Sequence, residues 1–547
     1  MSTTEVLIVG AGPTGLTMAN LLARSGVEFR IIDKVDGTVE ESRALVIHAK
    51  ILELLDKLGL ADRAVAGGQK MGAAELLREG KSVGKLSFFE DGREDRTPYP
   101  MALIYEQHRT ERLLIQGLEE AGGGIEWNTE LLDLSQTSEG TRATIRRSDG
   151  SEETIEAGWV VGADGASSPV RHSLELGFEG DTYEQTLFLA DLEMDWERGD
   201  QRVYVDFAPA SFYGLFPMPG DRRFRLIGSV TEDLEGREEI TVEDVQQTLD
   251  EHSGLRTRIT ALNWSSIYRT HRRMTERFRV GRVFLAGDAA HIHSPAGGQG
   301  MNTGIGDAYN LGWKLASVVK GHARESLLDS YEAERMPFAR AILSGSDRGF
   351  SLVGDTTNPA SRQLRTFVAP LLFRGVSHVP PLRRWGFWLV SQLWTSYRES
   401  PAVEESGPLK RGPRAGDRAP YGFFEDGPHA HKSIFELLRG PDHHLLIFEG
   451  KQPNSRRLDA AREEIEALLQ RYEMPASIHQ ISTGNRKLHK SYGASESRLF
   501  LVRPDGHVAY SGAASDLVGL RMYLDRLFVR SRNESAGAKA FGRSARV

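Results

Sequence analysis

The fold is decided by the stretch EVLIVGAGPTGLTMANLLARSGVEFRIID, which spans Glu5–Asp33 near the start of the chain. Its first apolar run, Val6–Val9, is typical of a central parallel strand, because such strands are buried on both faces. Three glycines follow in the spacing G-x-G-x-x-G, and then comes a helical stripe of apolar residues. A second apolar strand ends at Asp33. The stretch therefore predicts a β-α-β unit of the kind that binds a dinucleotide.

Each residue type in this unit has a physical reason. Gly10 permits the sharp turn, Gly12 lets the backbone approach a pyrophosphate, and Gly15 allows close contact between helix and strand. The N–H groups of Thr14 and Gly15 lie in the first helical turn, where they have no partner within the helix. Asp33 is expected to hold ribose hydroxyls. We therefore predict that the adenosine end of a dinucleotide binds here.

A second informative stretch runs from Arg282 to Lys320 and reads RVFLAGDAAHIHSPAGGQGMNTGIGDAYNLGWKLASVVK. A buried strand ends in the tight acidic turn Gly287–Asp288. A loop with one proline and three glycines then leads into a helix with apolar residues at helical spacing. A bare backbone aimed at a helix N-terminus favours an electron-rich ligand. We interpret this ligand as a flavin whose reactive ring faces the loop.

Bulk composition excludes several classes of function. At 547 residues the chain is too long for one domain, and its net charge of -8 argues against a nucleic-acid partner. The absence of cysteine excludes disulfides and thiolate chemistry, and together with the lack of a signal peptide it predicts a cytoplasmic protein. No apolar run reaches ~18 residues, so no transmembrane segment is expected. His291 and His293 lack further ligands nearby, so no metal is expected.

Three motifs taken together resemble one protein family. GAGPTG with Asp33 opens the chain, and GADGASSPVR at Gly162–Arg171 again places an acidic turn after a buried strand. The Gly287–Asp288 turn with its GGQGMN loop is the third motif. The chain is similar to the flavin-dependent aromatic hydroxylases, which are single-component FAD monooxygenases of the p-hydroxybenzoate hydroxylase and phenol hydroxylase type.

The resemblance implies an enzyme that binds FAD and uses NAD(P)H and O2 to hydroxylate a phenolic or polycyclic aromatic substrate through a flavin hydroperoxide. NAD(P)H is expected to bind only transiently, because the sequence has a single dinucleotide fingerprint. A homodimer is possible. Two alternatives keep the flavin, namely Baeyer–Villiger-type oxygen insertion and oxygenation that inactivates an antibiotic. A third alternative is a flavin-binding regulatory protein.

The resemblance also implies roles for individual cofactor-binding residues. Lys34 lies next to the adenosine ribose, and Arg43 and Gln107 match the positions that reach the FAD phosphates and ribityl chain. Asp288 would bond the ribityl chain, and the backbone of Gly300–Asn302 would donate to the pyrimidine end of the ring. The complete set of predicted cofactor-binding residues is Gly10, Gly12, Thr14, Gly15, Asp33, Lys34, Arg43, Gln107, Asp164, Gly287, Asp288, Pro295, Gly300, Met301 and Asn302.

The residues that line the substrate pocket are the hardest feature to predict from the sequence. Alternating apolar residues in Tyr183–Val230 predict an antiparallel sheet between the flavin motifs, which is a natural wall for a pocket. Tyr213 and Arg225 on neighbouring strands are the candidate catalytic residues, with Tyr213 contacting the substrate oxygen. Some phenol hydroxylase relatives carry an acid soon after the arginine that matches Arg43. Here that acid is missing.

The predicted fold class is α/β. It comprises a Rossmann-like FAD-binding domain with an inserted antiparallel-sheet substrate domain and a C-terminal thioredoxin-like α/β domain, which resembles that of phenol-hydroxylase and polyketide-hydroxylase relatives. The predicted boundaries are 1–180 and 265–400 for the FAD-binding domain with a small excursion at 77–100, 181–264 for the substrate domain, 401–420 for a linker, 421–532 for the thioredoxin-like domain and 533–547 for a disordered tail.

Overall fold

The protein is described here from a computed structural model. Arg43, Pro295 and the tail at 533–547 lie outside the residues that it describes. The described residues are 2–38, 44–87, 96–137, 139–207, 211–230, 234, 237, 240–293, 297–354, 386–388, 390–407, 411–451 and 455–531.

Runs of strands are separated by one or two helices along the described chain. The strands are β1 (Ser2–Val9), β2 (Phe29–Ile32), β3 (Val46–Ile47), β4 (Gln69–Met71), β5 (Ala73–Arg78), β6 (Lys81–Ser87), β7 (Ala102–Ile104), β8 (Glu130–Gln136), β9 (Thr141–Arg146), β10 (Glu152–Gly162), β11 (Glu179–Asp195), β12 (Val203–Phe207), β13 (Phe212–Pro217), β14 (Arg223–Ser229), β15 (Arg258–Met274), β16 (Arg279–Val280), β17 (Val283–Leu285), β18 (His291–Ile292), β19 (Glu404–Glu405), β20 (His443–Phe448), β21 (Ala476–Ile481), β22 (Arg498–Val502) and β23 (Val508–Ala513). The helices are α1 (Pro13–Arg24), α2 (Ala49–Lys57), α3 (Ala61–Gly67), α4 (Gln107–Glu120), α5 (Pro169–Ser173), α6 (Val242–His252), α7 (Gly300–Val319), α8 (Asp329–Gly354), α9 (Ile434–Leu437), α10 (Ser455–Leu469), α11 (Arg486–Ser491) and α12 (Leu517–Leu527), with 3-10 turns at Gly287–Ala289 and Glu325–Leu328.

A seven-stranded sheet forms the centre of the first domain. Its strands β2, β1, β10 and β17 lie side by side and parallel, and β16 closes one edge in the antiparallel direction. The register pairs Val9 with Gly162 and Gly162 with Leu285. All four parallel strands therefore end at the same edge of the sheet, which confirms the predicted Rossmann-like arrangement.

An eight-stranded sheet forms the predicted substrate domain, in the order β18-β15-β11-β14-β13-β12-β5-β6. It is antiparallel except where β12 pairs in parallel with β5. The hairpin β5–β6 thus belongs to this sheet, whereas the sequence analysis left it as an excursion of the FAD-binding domain. Pairing between β5 and β12 explains the difference, because it joins segments far apart in the sequence and leaves no local signal.

The C-terminal region contains a five-stranded sheet in the order β19-β23-β22-β20-β21. Strands β20 and β21 are parallel and connected through α10, β22 pairs antiparallel with β20, and β23 pairs antiparallel with β22. This confirms a small α/β domain, while its thioredoxin-like identity stays a prediction.

The described residues of the segment predicted as a linker, 401–407 and 411–420, are packed into this C-terminal domain, so a linker there is contradicted. Glu404 pairs with Tyr510 in the sheet, and Ala419 is fully buried. Gly412 and Gly416 have φ of +105° and +92°, and a Cβ on either would clash with neighbouring backbone. The glycines therefore permit close packing, not flexibility.

The C-terminal domain shares a hydrophobic core with the first domain. Trp313 of α7 and Leu327 pack in one cluster with Leu445, Leu501 and Phe528. In the part of the chain described, none of the helices is both long and apolar enough to cross a membrane.

Candidate functional site

The three sequence motifs meet at the carboxyl edge of the parallel strands. Gly10 follows β1 with φ of +103°, and a Cβ there would lie 2.3 Å from the carbonyl oxygen of Ala163 after β10. A Cβ on Gly287, which follows β17, would lie 2.5 Å from Oγ1 of Thr14. The glycines thus allow the three turns to contact one another. This edge of an α/β sheet is where a crevice for a ligand forms.

Helix α1 offers open backbone at one end of this crevice. Its N-cap residue, Gly12, has no side-chain cap hydrogen bond, and Pro13 occupies the first turn. A Cβ on Gly12 would meet no atom of the described residues within 4 Å. The helix N-terminus is therefore uncapped by a side chain and is open beside Gly12, which fits the pyrophosphate of a dinucleotide.

Asp33 lies beside the same crevice at the end of β2. Its carboxylate accepts hydrogen bonds from the backbone N–H of Ala11 at 2.6 Å and of Val35 at 3.2 Å. Lys34, the next residue, is exposed. The two backbone hydrogen bonds orient the Asp33 carboxylate, and its partial exposure leaves it accessible to ribose hydroxyls.

Gln107 lies at the start of α4 and donates a hydrogen bond from Nε2 to Glu111 Oε1 at 2.9 Å. Burial raises the pKa of Glu111 to about 6, and the nearby charge of Asp33 adds to the shift. The first turn of α4 is therefore close to the adenosine end of the crevice. The sequence analysis missed Glu111, and its only signal was an acidic residue one turn after Gln107.

The second motif forms a corner between β10 and α5. Asp164 Oδ2 accepts a hydrogen bond from Val170 N at 3.0 Å, while Oδ1 is buried without a hydrogen-bond partner among the described residues. Burial raises the pKa of Asp164, although the Ser168 hydroxyl and nearby backbone N–H groups oppose the shift. Arg171 donates to the carbonyl of Ala289 at 2.9 Å and so ties this corner to the third motif.

Helix α7 begins at Gly300, and no side chain caps its N-terminus. Asn302 is fully buried. Its Nδ2 donates to the carbonyls of Val46 and Gly298, both at 2.7 Å, and its Oδ1 accepts from His48 N at 2.8 Å. The side chain of Asn302 therefore shapes the loop, and the backbone N–H groups of the first helical turn are the groups that can bind a ligand.

His48 supports the same loop from the other side. Its Nε2 lies 2.9 Å from the carbonyl oxygen of Gly297, and burial lowers the pKa of the imidazole to about 4. A neutral ring can donate this hydrogen bond. His48 therefore contributes to the shape of the loop.

The Gly287–Asp288 turn is held by a carboxylate that the sequence analysis missed. Asp307 is fully buried on α7, and its Oδ2 accepts from Gly287 N at 3.1 Å and contacts His291 Nε2 at 2.7 Å. Its Oδ1 accepts from Arg335 Nε at 2.6 Å. Burial alone would raise the pKa of Asp307, but Arg335 and His291 hold it below its ordinary value.

Asp288 itself is exposed at the crevice. The signal for Asp307 in the sequence was an acidic residue within the apolar part of a predicted helix, because a buried carboxylate needs partners. His291 is bound to that carboxylate. Among the described residues, no group of three potential metal ligands comes together.

The two predicted catalytic residues lie on opposite faces of the eight-stranded sheet. The register of β13 and β14 pairs Phe216 with Arg225, and Tyr213 with Gly228. Side chains alternate along a strand, so Tyr213 and Phe216 point in opposite directions. Phe216 packs against Met71 and Ile104 of the FAD-binding side. Arg225 therefore faces the flavin crevice.

Tyr213 belongs to the hydrophobic cluster under α6 and is fully buried there. Burial also raises the pKa of its hydroxyl to about 12. This placement argues against Tyr213 as a substrate contact. The error arises because a shift of one residue in register reverses the face of every side chain, and the sequence does not reveal the register.

Arg225 forms a compact ion pair with Asp191 on the neighbouring strand β11. Nε of Arg225 lies 2.6 Å from Oδ1 of Asp191, and the second guanidinium nitrogen lies 2.8 Å from Oδ2. The ring centre of Trp264, the partner of Asp191 on β15, is 5.5 Å from the guanidinium carbon. Phe216, Arg225, Asp191 and Trp264 thus form a row across four strands.

Comparisons with known proteins agree with this geometry. The family model described as FAD binding domain matches residues 3–346, and the one described as aromatic-ring hydroxylase, C-terminal, matches residues 412–531. The 6-methylpretetramide 4-monooxygenase of Streptomyces rimosus is 34% identical over 98% of this chain and 95% of its own. The pentachlorophenol 4-monooxygenase of Sphingobium chlorophenolicum is 35% identical over 81% of this chain and 79% of its own.

A solved structure is similar over nearly the whole chain. The ternary complex of aklavinone-11 hydroxylase with FAD and aklavinone matches with a TM-score of 0.77 and 27% identity, over 96% of this chain and 98% of that one. The similarity therefore includes both the first domain and the C-terminal domain.

Proposed function

Because the chain belongs to the FAD-dependent aromatic-ring hydroxylases, we propose that it hydroxylates an uncharged polycyclic phenol, with NAD(P)H as the electron donor and O2 as the oxygen donor. The relatives named above act on polycyclic or phenolic compounds according to their names, which supports the substrate class. The cytoplasmic location and the homodimer predicted from the sequence stay predictions.

The ion pair between Asp191 and Arg225 carries the proposal of an uncharged substrate. An arginine without a partner on the pocket face would favour a carboxylate or phosphate on the substrate. Here both oxygens of Asp191 already neutralise the guanidinium. The aromatic rings of Phe216 and Trp264 flank this pair and suit a flat apolar molecule.

The cofactor residues fit FAD in one orientation. We place the pyrophosphate on the backbone of Gly12–Gly15, with the adenosine ribose at Asp33 and beside Lys34. The ribityl chain would lie between Gln107 and Asp288. The ring would then reach the N-terminus of α7, and the Asp164 corner would contact both FAD and the transient NAD(P)H. Arg43 and Pro295 are proposed from the resemblance alone.

When bound, FAD takes electrons from NAD(P)H and activates O2, while the protein binds, orients and shields the reactants. The N-terminus of α7 would present its N–H groups toward the negative charge of a reduced flavin. A helix N-terminus stabilises such a charge by ~0.3–1 kcal/mol when exposed and by up to ~2 kcal/mol when partly buried. The pocket face of the sheet would hold the phenol against that ring.

The proposal is tested by turnover with matched substrates. Purified protein loaded with FAD is given a polycyclic phenol or its carboxylated analogue, and NAD(P)H oxidation is followed together with product mass under isotopically heavy O2. We expect faster turnover of the uncharged phenol and one heavy oxygen on a ring carbon. An ester or lactone product would instead identify oxygen insertion, and faster turnover of the carboxylate would contradict the proposal.

A variant sharpens the same test. Asp191→Asn keeps the size of the side chain but removes the charge that balances Arg225. We expect the preference to move toward the carboxylated analogue by about tenfold, because a charge-assisted hydrogen bond then becomes available to the substrate. Glu193→Gln, two residues further along β11, is the control. An unchanged preference in Asp191→Asn would argue against the proposed pocket face.

A further inference from the structure

The turn that carries Asp288 is fixed from behind by a chain of buried polar contacts. Asp307 binds both ends of the turn, through Gly287 N at 3.1 Å and His291 Nε2 at 2.7 Å. Gly287 has φ of +60°, a left-handed conformation that glycine adopts at little cost because it has no Cβ. The hydrogen bond from its N–H to Asp307 helps to hold this conformation. The position of Asp288 therefore depends on where the Asp307 carboxylate lies.

Arg335 on α8 holds that carboxylate. Its Nε donates to Asp307 Oδ1 at 2.6 Å, and one terminal nitrogen donates to the carbonyl of Thr303 at 3.1 Å. The other terminal nitrogen donates to the hydroxyl of Tyr397 at 3.0 Å. All three guanidinium nitrogens are thus engaged in one plane, and Arg335 is almost fully buried. Such a fork fixes both position and direction.

Tyr397 connects this fork to the C-terminal domain. Its ring packs on that of His507 with a centroid distance of 4.5 Å, and its N–H donates to the carbonyl of Gly416 at 2.8 Å. Glu334, the neighbour of Arg335 on α8, binds Arg503 of β22 through two hydrogen bonds at 2.7 and 2.8 Å. The C-terminal domain therefore holds α8 at two adjacent residues.

We propose that Arg335 and Tyr397 are positioning residues through which the C-terminal domain holds the Gly287–His291 turn, and with it Asp288, against the flavin. This gives the C-terminal domain, which has no cysteine for thiol chemistry, a role in setting the cofactor site. The inference depends on the proposed contact between Asp288 and FAD.

The test uses Tyr397→Phe in the full-length protein. The change removes one hydroxyl and keeps the ring on His507. Loss of one hydrogen bond at the end of the chain of contacts is expected to raise the Kd of FAD by about 2- to 10-fold and to shift the midpoint potential of the bound flavin. The matched control is Tyr472→Phe, whose hydroxyl donates to Asp525 at 2.8 Å within the C-terminal domain. We expect this control to lose similar thermal stability without changing either flavin property.

A double-mutant cycle separates transmission from a general loss of stability. If the effect of Tyr397→Phe passes through Arg335, it should disappear in an Asp307→Asn background, because the single acceptor oxygen of Asn cannot serve both Arg335 and the Gly287–His291 turn. If Asp307→Asn does not fold, Arg335→Lys replaces it in the test. Lysine keeps the positive charge but cannot make all three contacts of Arg335, so this variant should show the same loss of FAD affinity as Tyr397→Phe or a larger one.

The possible results distinguish a failure of the positioning role from a failure of the proposed hydroxylase function. If wild-type protein binds FAD and hydroxylates the phenol, but Tyr397→Phe equals Tyr472→Phe in FAD affinity and midpoint potential, the positioning role is wrong and the proposed function stands. Additive effects of Tyr397→Phe and Asp307→Asn would also overturn the positioning role. If Asp288→Ala leaves FAD affinity unchanged, the contact between Asp288 and FAD fails, and this inference fails with it.

Discussion

Helix α7 meets two polar environments that are built in opposite ways. At its N-terminus, backbone N–H groups are left uncapped and Asp288 is exposed nearby. Along its buried side, Lys314 bonds Glu334 at 2.8 Å, and that carboxylate also receives hydrogen bonds from Arg503, Asn310 and Ser400. The saturated junction holds domains together, whereas the crevice presents the first turn of α7, which has no side-chain cap from its N-cap residue, to a ligand. Changes at the junction should therefore cost stability, and changes at the crevice should cost binding.

The largest effect is expected at the junction. Arg503→Met removes two hydrogen bonds to Glu334 and leaves a buried carboxylate with less compensation. We expect the free energy of unfolding in urea to fall by ~3–5 kcal/mol, as for other buried pairs that lose one partner. Arg530→Met, which breaks an exposed pair with Asp525, should leave that free energy nearly unchanged. Equal losses of unfolding free energy in Arg503→Met and Arg530→Met would contradict the expected difference between the buried and the exposed ion pair.

At the crevice, Asp288→Ala should affect the cofactor more than the fold. Removing a charge-assisted hydrogen bond to the ribityl chain is expected to raise the Kd of FAD by about 10- to 100-fold. The flavin absorbance retained after gel filtration and a titration with FAD measure this. Asp221→Ala, at an acidic side chain that is 91% exposed, is the control. Full flavin occupancy in Asp288→Ala would count against the assignment.

Acid should destabilise the C-terminal domain through the partly buried side chain of His479. Burial lowers the pKa of His479 to about 4, and His429 adds to the shift. The unfolded chain binds this proton near pH 6.5 and the folded chain only near pH 4. The contribution of neutral His479 to the free energy of unfolding is thus fully present above about pH 6.5. It is lost by about 1.4 kcal/mol per pH unit as the pH falls toward 4.

His479→Gln should reduce that dependence, since the titrating group is gone. Unfolding in urea measured at several pH values between about 4 and 7 gives the slope. The surface residue His431 supplies the control variant His431→Gln. A slope in His479→Gln equal to that of wild type would show that His479 does not titrate as its burial implies.

The smallest effect on stability is expected at Gly12. A Cβ there meets no atom of the described residues within 4 Å, so Gly12→Ala should change the free energy of unfolding of FAD-free protein by less than about 0.5 kcal/mol while weakening FAD binding. Gly10→Ala places a Cβ 2.3 Å from Ala163 O at φ of +103°, and should cost more than ~1 kcal/mol even without ligand. If Gly12→Ala and Gly10→Ala have the same free energy of unfolding, the fold does not require the close approach between Gly10 and the carbonyl oxygen of Ala163.

The sequence was most informative where a requirement is local. Gly10, Gly12 and Asp33 are close in the chain, and the turn, the helix and the acidic strand end define one another within a single β-α-β unit. The acidic turns after β10 and β17 could be predicted for the same reason. Their meeting at one sheet edge followed from the parallel class of the strands.

The rest depended on distant pairing, which leaves no local signal. Arg225 was named as a candidate, but its partner Asp191 was not, because the two meet only through the register of β11 and β14. The same register turned Tyr213 away from the crevice. The segment around Gly416 looked like a linker because packed glycines and flexible glycines have the same composition.

The side chain of Thr14 packs between Gly287 and Gly304, and this contact has a consequence for synthesis of the chain. A Cβ on either glycine would lie within 2.5 Å of the threonine oxygen, so the first turn of α1 is completed by residues made much later. A ribosome-bound chain that ends before β17 has its dinucleotide fingerprint but lacks Gly287 and Gly304, the two glycines that flank Thr14. The cofactor can therefore be enclosed only late in synthesis. Until then the edge of β10 that pairs with β17 is unpaired, at the stage when exposed strands are most prone to aggregate.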